Sequence, residues 1–364
     1  MNLRISMNIN PVDGPNGGGF HFARALEQCA IASGYTVFRT LVPDLDAILI
    51  VSARHNPITT AYPLAAIAEY RRRYPNAVVL ARVNACDEQK GEVAGVSRAW
   101  LLAADMSDAV VFVSEFMQQL YIRNGMPANH PQTVIHSGAD EMLFQPHSGA
   151  VWHACQRMRI VTHHWSTAAT KGFDIYERLD ALMGTSPYRE LFEFAYIGRL
   201  PLGLTLKNTR VVPQLSAQLL AQELQRHHVH VTATRFEPAG YHFIESMRCG
   251  LPVLYLDDGT LRSGSLPEYC APYGVAFNLV NFEEKLVEMR ERYTELRRKV
   301  QDCPYTASRM ASQYLAYIEE QVALRRANPR PALGVLQNIC FWGQRQRRTV
   351  GLLRRRMFRY LADM

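Results

Sequence analysis

The apolar positions of this chain follow two periods, and the periods alternate. LRISMNI (3–9), YTVFRT (35–40), AILIVSA (47–53), AVVLARV (77–83), AVVFVS (109–114) and QTVIHSG (132–138) are β-rich or continuously apolar runs that read as strands. AVVLARV is the continuous kind, buried on both faces as in a parallel sheet. Between these runs, FHFARALEQCAIAS (20–33) repeats Phe22, Ala25, Leu26 and Cys29 at helical spacing and stops at Gly34. SRAWLLAADMS (97–107) and EFMQQLYIRNG (115–125) are further helices. After DEMLFQPHSG (140–149) the pattern restarts. Strands are expected at 159–165, 192–198, 210–215, 228–234 and 253–258, with helices at 172–184, 216–226 and 241–249.

Strand and helix in turn predict an α/β fold with two Rossmann-like, doubly wound domains. The boundary falls near 145–158, giving an N-terminal unit 1–148 and a C-terminal unit 149–328. Helices at 281–300 and 304–326 are expected to finish the second unit. Pro329 and Pro331 set off a third stretch, 329–364.

Length and composition fit this picture. The 364 residues have room for two cores, and 48% hydrophobic with 20% charged residues is ordinary for a soluble chain. There is no uncharged apolar run long enough to span a membrane, and MNLRISMNINPVDG lacks the apolar core of a signal peptide, so a cytoplasmic location is expected. The seven cysteines are scattered without C-x-x-C pairing, which predicts reduced thiols and neither a disulfide framework nor a zinc site. The net charge of +7 is concentrated. Seven arginines against the single acid Asp363 place six of those charges in 331–364. The remainder is nearly neutral, so no nucleic-acid partner is expected.

The chemistry concentrates in EPAGYHFIESMRCGLPVL (237–254). Glu237 follows a strand, on the side of an open α/β sheet where ligands bind, and Glu245 lies about one turn into the next helix. The free N–H groups at that helix start, from Gly240 through Tyr241, His242 and Phe243, suit a diphosphate. One carboxylate would then hold sugar hydroxyls and the other a ribose. The plainer reading is a pair of surface glutamates near a helix dipole.

Further stretches fall in a telling order. NGGGFHFARAL (16–26), DAVVFVSEFMQQLYIRNG (108–125), VIHSGADEMLFQP (134–146), HHWSTAATKGFDIY (163–176) and the E-x7-E segment together resemble the retaining glycosyltransferases of family four, which have the GT-B fold. The resemblance covers roughly residues 5 to 280 and implies a role at each matching position. Lys171, beside Gly172, would neutralise the donor diphosphate, while Gly18 and Gly19 would let backbone approach it from the other domain. Glu245 would bind the ribose and Glu237 would face the transferred sugar. The resemblance also implies transfer from a nucleotide-diphosphate sugar to a hydroxyl acceptor (a polysaccharide or lipid-linked glycan), with retention and without a metal or other cofactor.

Two departures qualify it. Ser137 stands where the family has Asn. The family's usual Arg before the Lys is replaced at Trp165 and Ser166, leaving His163, His164 or Arg199 to supply a second cation. Arg199 reads equally as a structural ion pair. In RVNACDEQK (82–90), Asn84 and Asp87 are expected at the site, the alternative being a cap on the next helix.

Two motifs mislead. Asp44-Leu-Asp46 is literally D-x-D but precedes its strand, so it reads as a turn. His227, His228 and His230 look like a metal cluster, yet strand alternation lets only His228 and His230 share a side. In the tail, Val350, Leu353, Met357 and Leu361 fall on one helical face with arginines largely off it. That face would either lie on an anionic membrane surface or pack back on the first domain. No catalytic nucleophile is well placed, which points to front-face displacement. The alternatives are a nucleotide-sugar epimerase or phosphorylase on the same fold, for which no surplus of acid–base histidines marks a cleft, and a non-catalytic nucleotide-sugar-binding subunit.

Overall fold

The computed structural model describes residues 2–12, 17–91, 95–146 and 151–331. The basic stretch 332–364, with its expected amphipathic helix, lies outside them. No described helix is long and apolar enough to cross a membrane.

Two six-stranded parallel sheets organise the chain. The first contains β1 (Arg4–Met7), β2 (Thr36–Phe38), β3 (Ala47–Ile50), β4 (Val78–Val83), β5 (Ala109–Phe112) and β6 (Gln132–Val134), in the order β2-β1-β3-β4-β5-β6. The second contains β7 (Met158–His164), β8 (Phe192–Gly198), β9 (Arg210–Val212), β10 (Val229–Thr232), β11 (Val253–Leu256) and β12 (Gly274–Phe277), in the order β12-β11-β10-β7-β8-β9. The central strands β3, β4 and β5 are buried at every position, which is why their sequences are apolar without alternation. Each order reverses once, between β1 and β3 and between β7 and β10. Crevices outside the carboxyl ends of the strands at such reversals are where doubly wound sheets bind ligands.

Alternate residues of β4 serve opposite layers. Val78 and Leu80 join a core with Phe22 and Leu26 of helix Gly18–Ala32, whereas Val79, Ala81 and Val83 pack with Trp100 and Leu101 of helix Val96–Asp105. A third core fills the second sheet.

Helix Ala307–Ala327 corrects the expectation that it finishes the second unit. Its buried face, including Met310, Tyr314, Leu315, Ile318 and Val322, joins the core of β1 and helix Gly18–Ala32. Its end is tied down where Arg325 donates to Asp108 at 2.9 Å and Arg326 to Asp46 at 2.7 Å. The apolar stripe announces a helix but does not say which sheet receives it. Asp46 also accepts the N–H of Arg4, so the D-x-D pair is a turn before β3, tied to the returning helix.

The chain therefore crosses between domains twice, and the crossings run side by side. Ala139 N–H donates to Tyr305 and Ala307 N–H donates to Ala139, at 3.0 and 2.8 Å. A Cβ on Gly138 would stand 2.0 Å from the Thr306 carbonyl oxygen, so only glycine lets the two backbones meet.

Candidate active site

The corner after β10 is built to present its first acid. Gly264 holds φ +60°, and a Cβ there would lie 2.4 Å from the Glu237 nitrogen, so this backbone closes tightly over the corner. Ser265 N–H fixes the Glu237 carbonyl at 2.9 Å. The side chain, 4% exposed, accepts from Lys171 Nζ at 2.7 Å through Oε2 and from Gln89 Nε2 at 3.0 Å through Oε1. Lys171 arrives from the loop after β7, ending the short turn Ala169–Lys171. Gly172 follows at φ +81°, where a Cβ would be 2.3 Å from the Ala233 carbonyl oxygen. That glycine does not reach the cavity. Its role is to let the lysine loop lie against the end of β10.

Gly240 caps helix Tyr241–Arg248 without a side chain of its own, and any Cβ there would strike the His242 ring at 2.5 Å. Glu245, also buried, sits inside that helix and pairs with His163 Nε2 at 2.9 Å from the end of β7. Each glutamate of the E-x7-E segment is thus matched to a partner from the β7 side of the crevice.

The first domain closes the other wall. A Cβ at Gly18 would lie 2.4 Å from the Tyr241 ring, and the His21 and Tyr241 rings are centred 5.6 Å apart. Thr170 donates to the Gln89 carbonyl at 3.0 Å, joining the lysine loop to the first domain. The resulting cavity of about 440 Å³ is lined from both domains, including Gly18, Gly19, Arg82, Asn84, Gln89, His163, His164, Lys171, Glu237, Gly240, Tyr241, His242 and Glu245. This is the size range of a small-molecule site.

Three buried imidazoles near this wall are held neutral. Burial pushes His164, His230 and His242 well below the usual histidine range, and neighbouring positive groups push the same way, Lys171 for His164 among them. His164 Nε2 meets the Tyr176 hydroxyl at 2.7 Å and His242 Nε2 meets Thr232 Oγ1 at 2.8 Å. They are polar surface without charge. Burial likewise pushes the Tyr241 phenol up to about 12, against the pull of Arg82.

Most of the expected residues converge here; besides Gly172, three do not. Asp87 is buried away from the cavity, and its Oδ1 accepts the N–H groups of Gly95, Val96 and Ser97 at 3.1, 2.6 and 3.1 Å. It is the cap on the following helix, the alternative the sequence had offered. Arg199 is exposed and donates to Gln214 at 3.0 Å, so it supplies no second cation. Phe243 buries its ring in the core of the second domain. Four histidines line the cavity, His21, His163, His164 and His242, and they correct the expectation that no surplus of them marks the cleft. The triplet 227–230 disperses. His227 donates to the Glu223 carbonyl, His228 accepts from Arg159 N–H, and His230 meets Ser246.

Arg82 and Gln89 were missed as site residues. Gln89 belongs to the short helix Asp87–Lys90, which no periodicity reveals. Arg82 carried a signal, a charge on an otherwise apolar strand.

No family model and no curated protein sequence matches the chain. Solved structures do. Sucrose-phosphate synthase from Thermosynechococcus elongatus superposes with a TM-score of 0.62 at 15% identity, covering 89% of this chain and 100% of that one. Anabaena HepE in complex with UDP and glucose gives 0.63 at 14% identity, over 88% and 100%. The pneumococcal O-GlcNAc transferase GtfA, in complex with UDP and GlcNAc, gives 0.56 at 12%, over 76% of this chain and 57% of that one. Two Rossmann-like domains facing one cleft, superposing along nearly the whole chain, give this protein the GT-B fold.

Proposed function

We propose that the protein transfers a glycosyl group from a nucleoside-diphosphate sugar to a hydroxyl acceptor, with retention and without a metal. The observation that carries this reading is the Lys171–Glu237 pair, facing Gly18 and Gly19 across one cavity beside the free start of helix Tyr241–Arg248. Lys171 and those N–H groups form the positive field that a departing nucleoside diphosphate needs. Glu237 and Gln89 supply acceptors and donors for sugar hydroxyls on the same wall, and Glu245 is positioned for a ribose. Within the cleft the two charges satisfy each other. When a diphosphate takes the lysine, Glu237 is left facing the anomeric centre, where positive charge develops. The acceptor hydroxyl attacks from the leaving-group side, and the departing phosphate oxygen takes its proton. The carboxylate steadies the sugar and forms no bond to it.

HepE and GtfA are described with UDP bound, which makes UDP-sugars the first donors to try. An acceptor of polysaccharide or lipid-linked type, and contact of the basic tail with an anionic membrane, belong to this reading as expectations. The test is calorimetric binding of UDP and UDP-sugars, followed by UDP release with and without a panel of hydroxyl acceptors. Acceptor-dependent UDP release supports transfer.

The four cleft histidines favour a second reading, a nucleotide-sugar epimerase. Its sign would be conversion of the sugar nucleotide with no acceptor present. Binding without turnover of any kind would mark a non-catalytic subunit.

A further inference from the structure

Arg82 is the least explained charge among the described residues. It is 2% exposed, near the end of β4 and on the face that Val78 and Leu80 give to the core. Its guanidinium lies 4.1 Å over the Phe22 ring, and Nη2 reaches Ser137 Oγ at 3.4 Å. Among the described residues Nε and Nη1 have no acceptor at hydrogen-bonding geometry, although the Tyr314 phenol adjoins the guanidinium. Buried cations are ordinarily paired, because the unpaired charge loses its hydration without replacement. Here a forked donor lines the shared cavity while two of its nitrogens, Nε and Nη1, lack an acceptor among the described residues. It stands where the first domain, the crossing segment at Ser137 and Tyr241 of the second domain meet.

We propose that Arg82 binds an oxyanion brought into the cleft, a phosphate or carboxylate whose paired oxygens fit the guanidinium fork. The inference deepens the nucleotide-sugar reading of the same cavity and rests on it. Two sources are chemically equivalent, the donor diphosphate or an acidic group on the acceptor. The first would make Arg82 the second cation that Trp165 and Ser166 do not provide, delivered from the opposite domain. A merely structural strut would give its nitrogens protein acceptors, and this arginine leaves two of its three without one among the described residues.

The experiment compares wild type, Arg82→Met and Arg82→Lys by calorimetry and thermal melting. The probes are pyrophosphate, uridine and UDP, and then glucose 6-phosphate and glucuronate added to the UDP-saturated protein. If the donor diphosphate is the ligand, Arg82→Met loses at least tenfold in UDP and pyrophosphate affinity and keeps its affinity for uridine. If the acceptor carries the oxyanion, UDP binding is unchanged and the acidic sugars lose their binding. Arg82→Lys keeps the charge without the fork and falls between, and it carries the test if the methionine variant does not fold. In either case the empty Arg82→Met protein melts no lower than wild type, because an unpaired buried charge has been removed. Equal binding of every probe by all three proteins overturns the proposal, as does a lower melting point with binding intact. Arg82-dependent binding of pyrophosphate by a wild type that ignores UDP would keep this inference while sinking the nucleotide reading.

Discussion

Lys171 Nζ lies 2.7 Å from Glu237 Oε2, and Gln89 of the opposite domain donates to the other oxygen of the same carboxylate. One acid therefore reports both on the charge balance of the second domain and on the approach of the first. Removing one partner leaves a mostly buried charge unpaired, which costs about 3–5 kcal/mol in such sites. Lys171→Ala should accordingly lower the denaturation midpoint as well as abolish transfer. Lys171→Met combined with Glu237→Gln removes both charges, so it should recover most of the stability and none of the activity. Urea melts alongside an acceptor-dependent assay measure this, and additive stability losses in the double variant would show that the pair is not coupled.

Glu237→Gln alone keeps the shape and the contact with Gln89 while removing the negative charge. Preorganised groups of this kind are worth roughly 100- to 1,000-fold in turnover. The expected result is that loss in kcat with UDP affinity within about threefold of wild type, on the same order-of-magnitude footing. Full turnover would remove the carboxylate from the mechanism.

Gly18 meets the Tyr241 ring where the two domains touch. A methyl group at that position would overlap the ring, and relief requires either the ring or the domain to move. Gly18→Ala should therefore hold the cleft wider and weaken donor binding by about tenfold, since roughly 1.4 kcal/mol of closure would be lost. Gly18→Ala with Tyr241→Ala should regain part of it. Small-angle scattering with and without UDP distinguishes this from simple unfolding, as the single variant would fail to compact.

The strands were legible because buried parallel strands leave continuous apolar runs, and helices because their stripes have a stop residue behind them. FEFAYIG (192–198) matches β8 residue for residue, and VLYLDD overruns β11 by two. Helix Leu64–Arg73 escaped notice, since only Ile67 and Tyr70 are buried and three arginines close it. Within the site, motif order located Gly18, Lys171, Glu237 and Glu245 together. It could not separate Asp87, a helix cap, from Asn84, which lines the cavity three residues earlier. Capping and ligand binding ask for the same side chains in the same kind of loop, so only the direction of the carboxylate decides. Arg199 failed for a related reason. A strand-end position does not specify whether a long side chain turns toward the crevice or toward solvent.

Glu268 links the domains at a second point. Its carboxylate accepts the N–H of Glu115 at 2.8 Å and of Phe116 at 3.3 Å, at the start of helix Glu115–Arg123, and meets His136 Nε2 at 2.5 Å. The second domain thus helps cap a helix of the first. Glu268→Ala should cost about 1–2 kcal/mol, the usual value of a lost cap, and lower Tm by a few degrees. Gln at the same position keeps an acceptor and should cost less than half as much. Equal melting of wild type and the alanine variant would show that the contact carries no stability.

The buried imidazoles make stability depend on pH in a defined direction. Burial holds His164, His230 and His242 far below 6.5, and also brings His227 to about 4 and His228 to about 3. Between those values and 6.5 the unfolded chain binds protons that the folded protein refuses, so unfolding becomes easier as pH falls. The stabilisation is complete above about 6.5 and is lost progressively on acidification, by up to about 1.4 kcal/mol per pH unit for each histidine. Urea melts at pH 7 and pH 5 bracket this window while carboxylates remain largely ionised. His164→Gln and His242→Gln should each flatten the dependence by one proton's worth. Identical midpoints for wild type at the two pH values would mean that these rings already carry their protons in the folded state. The cleft would then be more cationic than its geometry indicates, and Lys171 and Arg82 would no longer be its principal charges.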